Sequence, residues 1–265
     1  MKEFLGFGGY SRPAEGYLSW QHLLFVSSLM AVMVGLAILL GLRNRSRSDR
    51  TKNKVLIGSA LLINAFEIFK IVVVCLRSNN PMGWLYELPL FLCSIQLIAI
   101  PLAAFTRGRI KNACMDFVCI FGILGAVLGT YAAGNNYSCY PVLSMDNVIS
   151  GITHSISGFT SLYILISGMA SMKKENIPIT FGILGVFCVA AYTANVLLDY
   201  NYMFLMAGDG TPYEILFSLV NGHPVMYPVG VVALFLGYIT LYYSIYFLAT
   251  GRKTERLPRT FAARA

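Results

Sequence analysis

Seven stretches of the chain are almost wholly apolar, at residues 18–42, 54–77, 88–106, 111–134, 146–171, 176–198 and 223–249. Each approaches or exceeds the roughly 20 apolar residues that an α-helix needs to cross a bilayer. Short polar segments separate them. The pattern predicts an all-α polytopic membrane helix bundle of seven transmembrane helices, a single transmembrane domain over residues 1–265. The third stretch is the shortest and carries Pro89 and Pro101 near its ends. The first reads as a true span rather than a cleaved signal peptide, because its basic cluster follows the apolar run. Gly122, Gly125 and Gly129 share one side of the fourth span, and Gly182 and Gly185 one side of the sixth. Both sets predict seams where helix backbones approach closely. No internal repeat is visible, so inverted-repeat transporter architecture gains no support.

Composition agrees with the pattern. The chain is 57% hydrophobic and 12% charged, with a mean hydropathy of +0.66, where a soluble domain carries about a quarter charged residues. Soluble enzymes, disordered linkers and nucleic-acid-binding domains are poor readings of such a chain. The net charge of +8 instead reports orientation. Sixteen of the 20 basic residues fall on one side: Arg43, Arg45, Arg47, Arg50, Lys52 and Lys54, then Arg107, Arg109 and Lys111, then Lys173 and Lys174, and in the tail Arg252, Lys253, Arg256, Arg259 and Arg264. Lys2, Arg12 and Arg77 fall on the other, and Lys70 lies within the second span. The positive-inside rule then puts the N-terminus outside and the C-terminus in the cytoplasm. Six scattered cysteines with no CxxC give no metal-ligand spacing, and neither a metal nor a cofactor is expected.

Ionisable residues inside spans are costly and mark candidate function. With direction fixed, Glu67 and Lys70 lie about seven to ten residues below the outer surface, Cys93 about five, and His154 about eight, at roughly 1.5 Å per residue. Gln96 lies just beyond Cys93. His22 and His223 sit near the outer ends of the first and last spans, and Asn195, Asp199, Asn201 and Tyr202 close the sixth at the same level. The inner half offers mainly Asp116, read as a snorkelling group. The asymmetry suggests a polar cavity in the outer-leaflet half, with residues 199–222 folding back over its mouth.

Each group also has a plain structural reading. Glu67 and Lys70, three residues apart, can neutralise one another. His154, within Thr153-His154-Ser155, can hydrogen-bond a neighbouring helix. Water can satisfy His22 and His223 near the interface, and Tyr238, Tyr242 and Tyr246 read as packing and anchoring. Cys93 is the candidate nucleophile, because an adjacent imidazole can take a thiol's proton and leave an attacking thiolate. Its depth differs from that of His154 by roughly 5 Å. The two meet only if the third and fifth spans are neighbours.

Three segments carry a family resemblance. They are Leu88-Pro89-Leu90-Phe91-Leu92-Cys93, Thr153-His154-Ser155 and Asn201-Tyr202-Met203-Phe204-Leu205. With His22, and over residues 18–245, the chain resembles the YwaF-like family of bacterial seven-span integral membrane proteins. That family is distantly similar to a coenzyme A-independent transmembrane phospholipid acyltransferase and to ADTRP-type lipid hydrolases. The resemblance implies a bacterial plasma-membrane protein in which Cys93 accepts an acyl chain, His154 is the general base and Asn201 shapes the pocket mouth. Phe91 departs from the pattern, which commonly has histidine or glutamine there, and the acyltransferase's thiol stands nearer the proline.

Two function classes follow. One is a thiol-dependent lipid acyltransferase or hydrolase acting on membrane phospholipid, with Gln96, Ser94 or Asn201 as oxyanion donor. The other is a small-molecule or lipid binder or transporter, in which Glu67, Lys70, Asp199, Tyr202 and the histidines hold a headgroup or carry a proton. A sensor or assembly partner is a third class. A retinal protein is excluded by the lack of a lysine in the seventh span.

Overall fold

Three of the long apolar runs begin at a serine that caps them. Ser19, Ser48 and Ser144 accept from the backbone N–H of His22, Thr51 and Asn147, satisfying donors that a helix start leaves open. The computed structural model describes residues 2–170 and 172–250. Its α-helices are α1 (Trp20–Asn44), α2 (Asp49–Arg77), α3 (Gln96–Phe105), α4 (Gly108–Tyr131), α5 (Gly134–Cys139), α6 (Met145–Ile166), α7 (Ile177–Leu198), α8 (Tyr213–Leu219) and α9 (Met226–Thr250). There is no strand among the described residues. The basic tail residues Arg252, Lys253, Arg256, Arg259 and Arg264 lie outside them.

Among the described residues six helices are long and apolar enough to cross a membrane. The third predicted span is not a seventh of this kind. Its first half, residues 88–95, is turns and extended chain, and α3 has only 10 residues, roughly 15 Å, about half a hydrocarbon core. The cause is local. Pro89 disfavours helical backbone at Leu88, and Pro101 lacks the N–H that would bond the Leu97 carbonyl. Asn64 of α2 donates to that carbonyl at 3.1 Å, and Asn53 donates to the Ala104 carbonyl at 2.8 Å. Backbone groups that α3 cannot satisfy itself are thus satisfied by α2, as an apolar surround requires.

Around this broken segment α4 is the central helix. Two-thirds of its apolar window is buried, against about a fifth for α1, α2, α7 and α9, whose outer faces expose Leu, Ile and Val. The glycine seam expected on the fourth span is present. A Cβ on Gly122 would lie 2.8 Å from the Ser157 carbonyl oxygen of α6, and Ser161 of α6 donates to the Cys119 carbonyl at 2.8 Å. The seam expected on the sixth span is absent. Gly182 and Gly185 have nothing within 4 Å, because they share the outward face of α7 with Val186 and Val189.

Asp116 also departs from expectation. It does not snorkel but is fully buried, accepting from Tyr243 Oη (2.8 Å), Asn176 Nδ2 (2.7 Å) and the Met172 N–H (3.2 Å). A carboxylate on the central helix is covered from every side, so its charge is met by donors from the start of α7 and from α9. Asn44 is buried too, its amide donating to Tyr163 Oη.

The N-terminal segment folds over α2 and α6. Phe4 O accepts from the Met145 N–H, and Arg77 forks onto Asp146 at 2.7 and 2.8 Å, where Tyr10 Oη also donates.

Candidate functional site

Cys93 and His154 meet. His154 projects from α6 towards α4, where only a glycine leaves room. A Cβ on Gly129 would fall 2.0 Å from His154 Nε2, and one on Gly125 would touch the Cys93 Cβ at 3.4 Å. The glycine face of α4 is therefore the floor on which the nucleophile candidate and the base candidate both lie. Sequence spacing read these glycines as packing alone.

The imidazole is oriented by its own helix. Its Nδ1 lies 2.8 Å from the Ser150 carbonyl oxygen, one turn earlier. A carbonyl only accepts, so Nδ1 carries the proton and Nε2 of the neutral ring is the lone-pair atom. Nε2 is buried and makes no hydrogen bond among the described residues. The Cys93 thiol is a neighbour of the ring, the two side chains interacting and lining one cavity. Base, orienting group and thiol thus stand in the order that activates a nucleophile.

Both side chains line a cavity of about 30 Å³ together with Ile63, Glu67, Ser94, Leu97, Thr153 and Ser157. That is room for one water molecule or one small oxygen-bearing group. Glu67 is one of two carboxylates on Lys70, with Nζ 2.7 Å from Glu67 and 3.0 Å from Glu87. The expected Glu67–Lys70 pair is therefore a triad with an excess negative charge. Its third member lies in the connection leading to Cys93 and ties that connection to α2.

The remaining candidates are placed around the cavity rather than in it. His22 is fully buried against Tyr137, with Nδ1 accepting from the Leu18 N–H (3.2 Å) and Nε2 donating to the Thr130 carbonyl (3.0 Å). It anchors α1 to the end of α4, one residue from Gly129. Gln96 is fully buried and its amide has no partner among the described residues, yet it does not line the cavity. Asp199 is the exposed, left-handed residue that ends α7. Asn201 holds its own loop, donating to Ala207 O and Asp209 and accepting from the Met206 N–H.

Tyr202 packs against the connection that leads to Cys93. Its hydroxyl donates to Leu85 O (2.6 Å) and accepts from the Leu88 N–H (3.3 Å), and Asn195 fixes its backbone at both N–H and carbonyl. Phe91 packs its ring on Tyr202 and Phe204. The chain leading to Cys93 is thereby clamped by the α7–α8 connection. Tyr213 of α8 stacks on Phe204, which packs against Phe91.

Sequence reasoning gave no site role to Ser150, Ser157, Glu87 or Tyr213, and read Thr153 only as part of the polar patch around His154. Ser150 and Ser157 lie one turn either side of His154 and were within reach of helical spacing. Glu87 and Tyr213 come from connections whose course no periodicity reveals. Among the described residues no group of three or more His, Cys, Asp or Glu is placed to hold a metal ion.

No curated protein and no solved structure matches the chain. One family model does match, from residue 17 to residue 250, a range that contains every helix described above, and the chain therefore belongs to the TMEM164 family, a multi-span membrane family.

Proposed function

We propose that this multi-pass membrane protein is a thiol-dependent acyl-transfer enzyme acting on phospholipid esters. The observation that carries the reading is the His154 imidazole, oriented by Ser150 O, sharing one small cavity with the Cys93 thiol. In the first half-reaction the Cys93 S–H proton passes to His154 Nε2 and Sγ attacks the ester carbonyl. The tetrahedral intermediate collapses with loss of the ester C–O bond, and the lysolipid oxygen takes the proton from Nε2. In the second, His154 deprotonates an acceptor hydroxyl, which attacks the thioester and releases Sγ to be reprotonated. A lysolipid acceptor makes the enzyme a transferase, and water makes it a hydrolase. No coenzyme A is needed, since the acyl group arrives already esterified.

The basic loops support an N-out, C-in orientation, in which residues 88–106 complete a seventh crossing and the cavity opens in the outer half of the bilayer. The YwaF-like resemblance supports a bacterial plasma membrane. Small-molecule or lipid binding is the second reading, favoured by Glu67 in the cavity wall and the excess negative charge of its triad.

The test is intact mass after incubation with phospholipid vesicles. A gain of one acyl chain, removed by hydroxylamine and absent from Cys93→Ser and His154→Ala, is the expected result. No adduct and no lysolipid across a broad lipid mixture would reject the enzyme and leave binding through Glu67 and Lys70.

A further inference from the structure

Hydroxyls on apolar helices rarely stay free, because the carbonyl three or four residues back is within reach. On α6 this is the rule. Thr153 donates to Ser150 O at 3.0 Å, Ser155 to Gly151 O at 2.7 Å and Thr160 to Ile156 O at 2.7 Å, while Ser161 crosses to the Cys119 carbonyl at 2.8 Å. Ser157 breaks the pattern. It is 3% exposed, its Oγ has no hydrogen-bond partner among the described residues, and it lines the cavity that holds Cys93 and His154.

A buried hydroxyl without a partner costs stability and calls for a reason to be there. The cavity gives one. Acyl transfer builds negative charge on the carbonyl oxygen as Sγ attacks, and a donor must already point at the place where that charge appears. The other polar groups are engaged or elsewhere. The hydroxyl of Thr153 is spent on Ser150 O, Ser94 lines the cavity but is not among the buried groups left without a partner, and Gln96 and Asn201 do not line it. Ser157 lies one turn beyond His154 on the same helix, its backbone fixed where Gly122 lets α4 press against it.

We infer that Ser157 is the oxyanion donor of the site, its Oγ–H bonding the carbonyl oxygen of the lipid ester and then of the thioester. The inference rests on the acyl-transfer reading and names a catalytic group within it. As the Cys93 Sγ–carbon bond forms, the carbonyl π pair moves onto oxygen and is met by the Ser157 hydroxyl. As the pair returns, the ester C–O bond breaks and the leaving oxygen takes the proton held on His154 Nε2. Ser157 donates a hydrogen bond throughout and loses no proton.

The experiment is a stopped-flow acylation burst with p-nitrophenyl octanoate, using the full chain in detergent micelles, with the thermal midpoint measured in parallel. Ser157→Ala is expected to slow the burst on the order of 10²-fold while the thermal midpoint stays level or rises, since the substitution removes a group with no partner. An unchanged burst rate would overturn the inference and make Ser157 a water site. A slower burst with a lowered midpoint would overturn it too, because the hydroxyl would then be holding the protein together. If the wild-type chain gives no burst, or one that survives in Cys93→Ser, the acyl-transfer reading itself fails, an outcome distinct from the other two.

Discussion

Gly129→Ala isolates the geometry on which the site depends. The added methyl would sit 2.0 Å from His154 Nε2 and 2.1 Å from Cδ2, where ordinary contact begins near 3.4 Å. Since α4 is held by its neighbours on every side, the imidazole has to yield, by about 1.4 Å to recover ordinary contact. A swing of that size breaks the 2.8 Å bond from Nδ1 to Ser150 O and shifts the imidazole relative to the thiol. Misplacing a reacting group by about 1 Å costs roughly 10² in rate. Stability moves far less, because alanine is the better helix former by about 1 kcal/mol and overpacking removes about 1–3 kcal/mol. Gly185→Ala is the control. Its methyl meets nothing within 4 Å, so the fold keeps the helix-propensity gain and the site is untouched. Acylation of Cys93, followed by intact mass against time, should fall about 10²-fold in Gly129→Ala and remain at the wild-type rate in Gly185→Ala. A folded Gly129→Ala chain that acylates normally would refute the argument that the glycine floor places the histidine.

Two further perturbations probe polar contacts elsewhere in the bundle. Tyr10 donates to Asp146, and burial together with that carboxylate pushes its phenol up to about 12. A raised folded value means that the neutral phenol is favoured by folding. Its contribution is therefore complete below the free-tyrosine value of about 10 and fades as pH rises towards 12. A spin label on Lys2→Cys should gain mobility over that window, and in a Tyr10→Phe background it should be more mobile at neutral pH with no such transition. In the core, Asp116→Asn replaces a carboxylate oxygen with a donor facing the donors of Asn176, Tyr243 and the Met172 N–H. The loss should be on the order of 3 kcal/mol, seen as a lowered thermal midpoint, with Cys93 acylation per folded molecule preserved. An unchanged midpoint would show that the buried carboxylate does not hold α4, α7 and α9 together.

Much was legible without coordinates because a bilayer imposes length and composition directly on sequence. Six of the seven apolar stretches counted from sequence, and their order, match helices long and apolar enough to cross a membrane. The Glu67–Lys70 pair was legible too, since three residues on a helix is a fixed distance. Cys93 and His154 stood out as costly groups at similar depth. Sequence stopped at neighbourhood. Depth is one coordinate along a helix axis, whereas contact needs the rotation of each helix and the identity of its neighbours, which side-chain packing decides. Only the tertiary structure therefore brought Cys93 to His154, and it did so through Gly125 and Gly129 on a helix belonging to neither. It let α3 run on through Pro101, because Asn64 could satisfy the carbonyl that the proline leaves open. It turned Gly182 and Gly185 outward and buried Asp116 by making α4 the centre. It showed one hydroxyl of α6, that of Ser157, left without a partner beside the thiol, because hydrogen-bond satisfaction belongs to the packed neighbours and not to the residue.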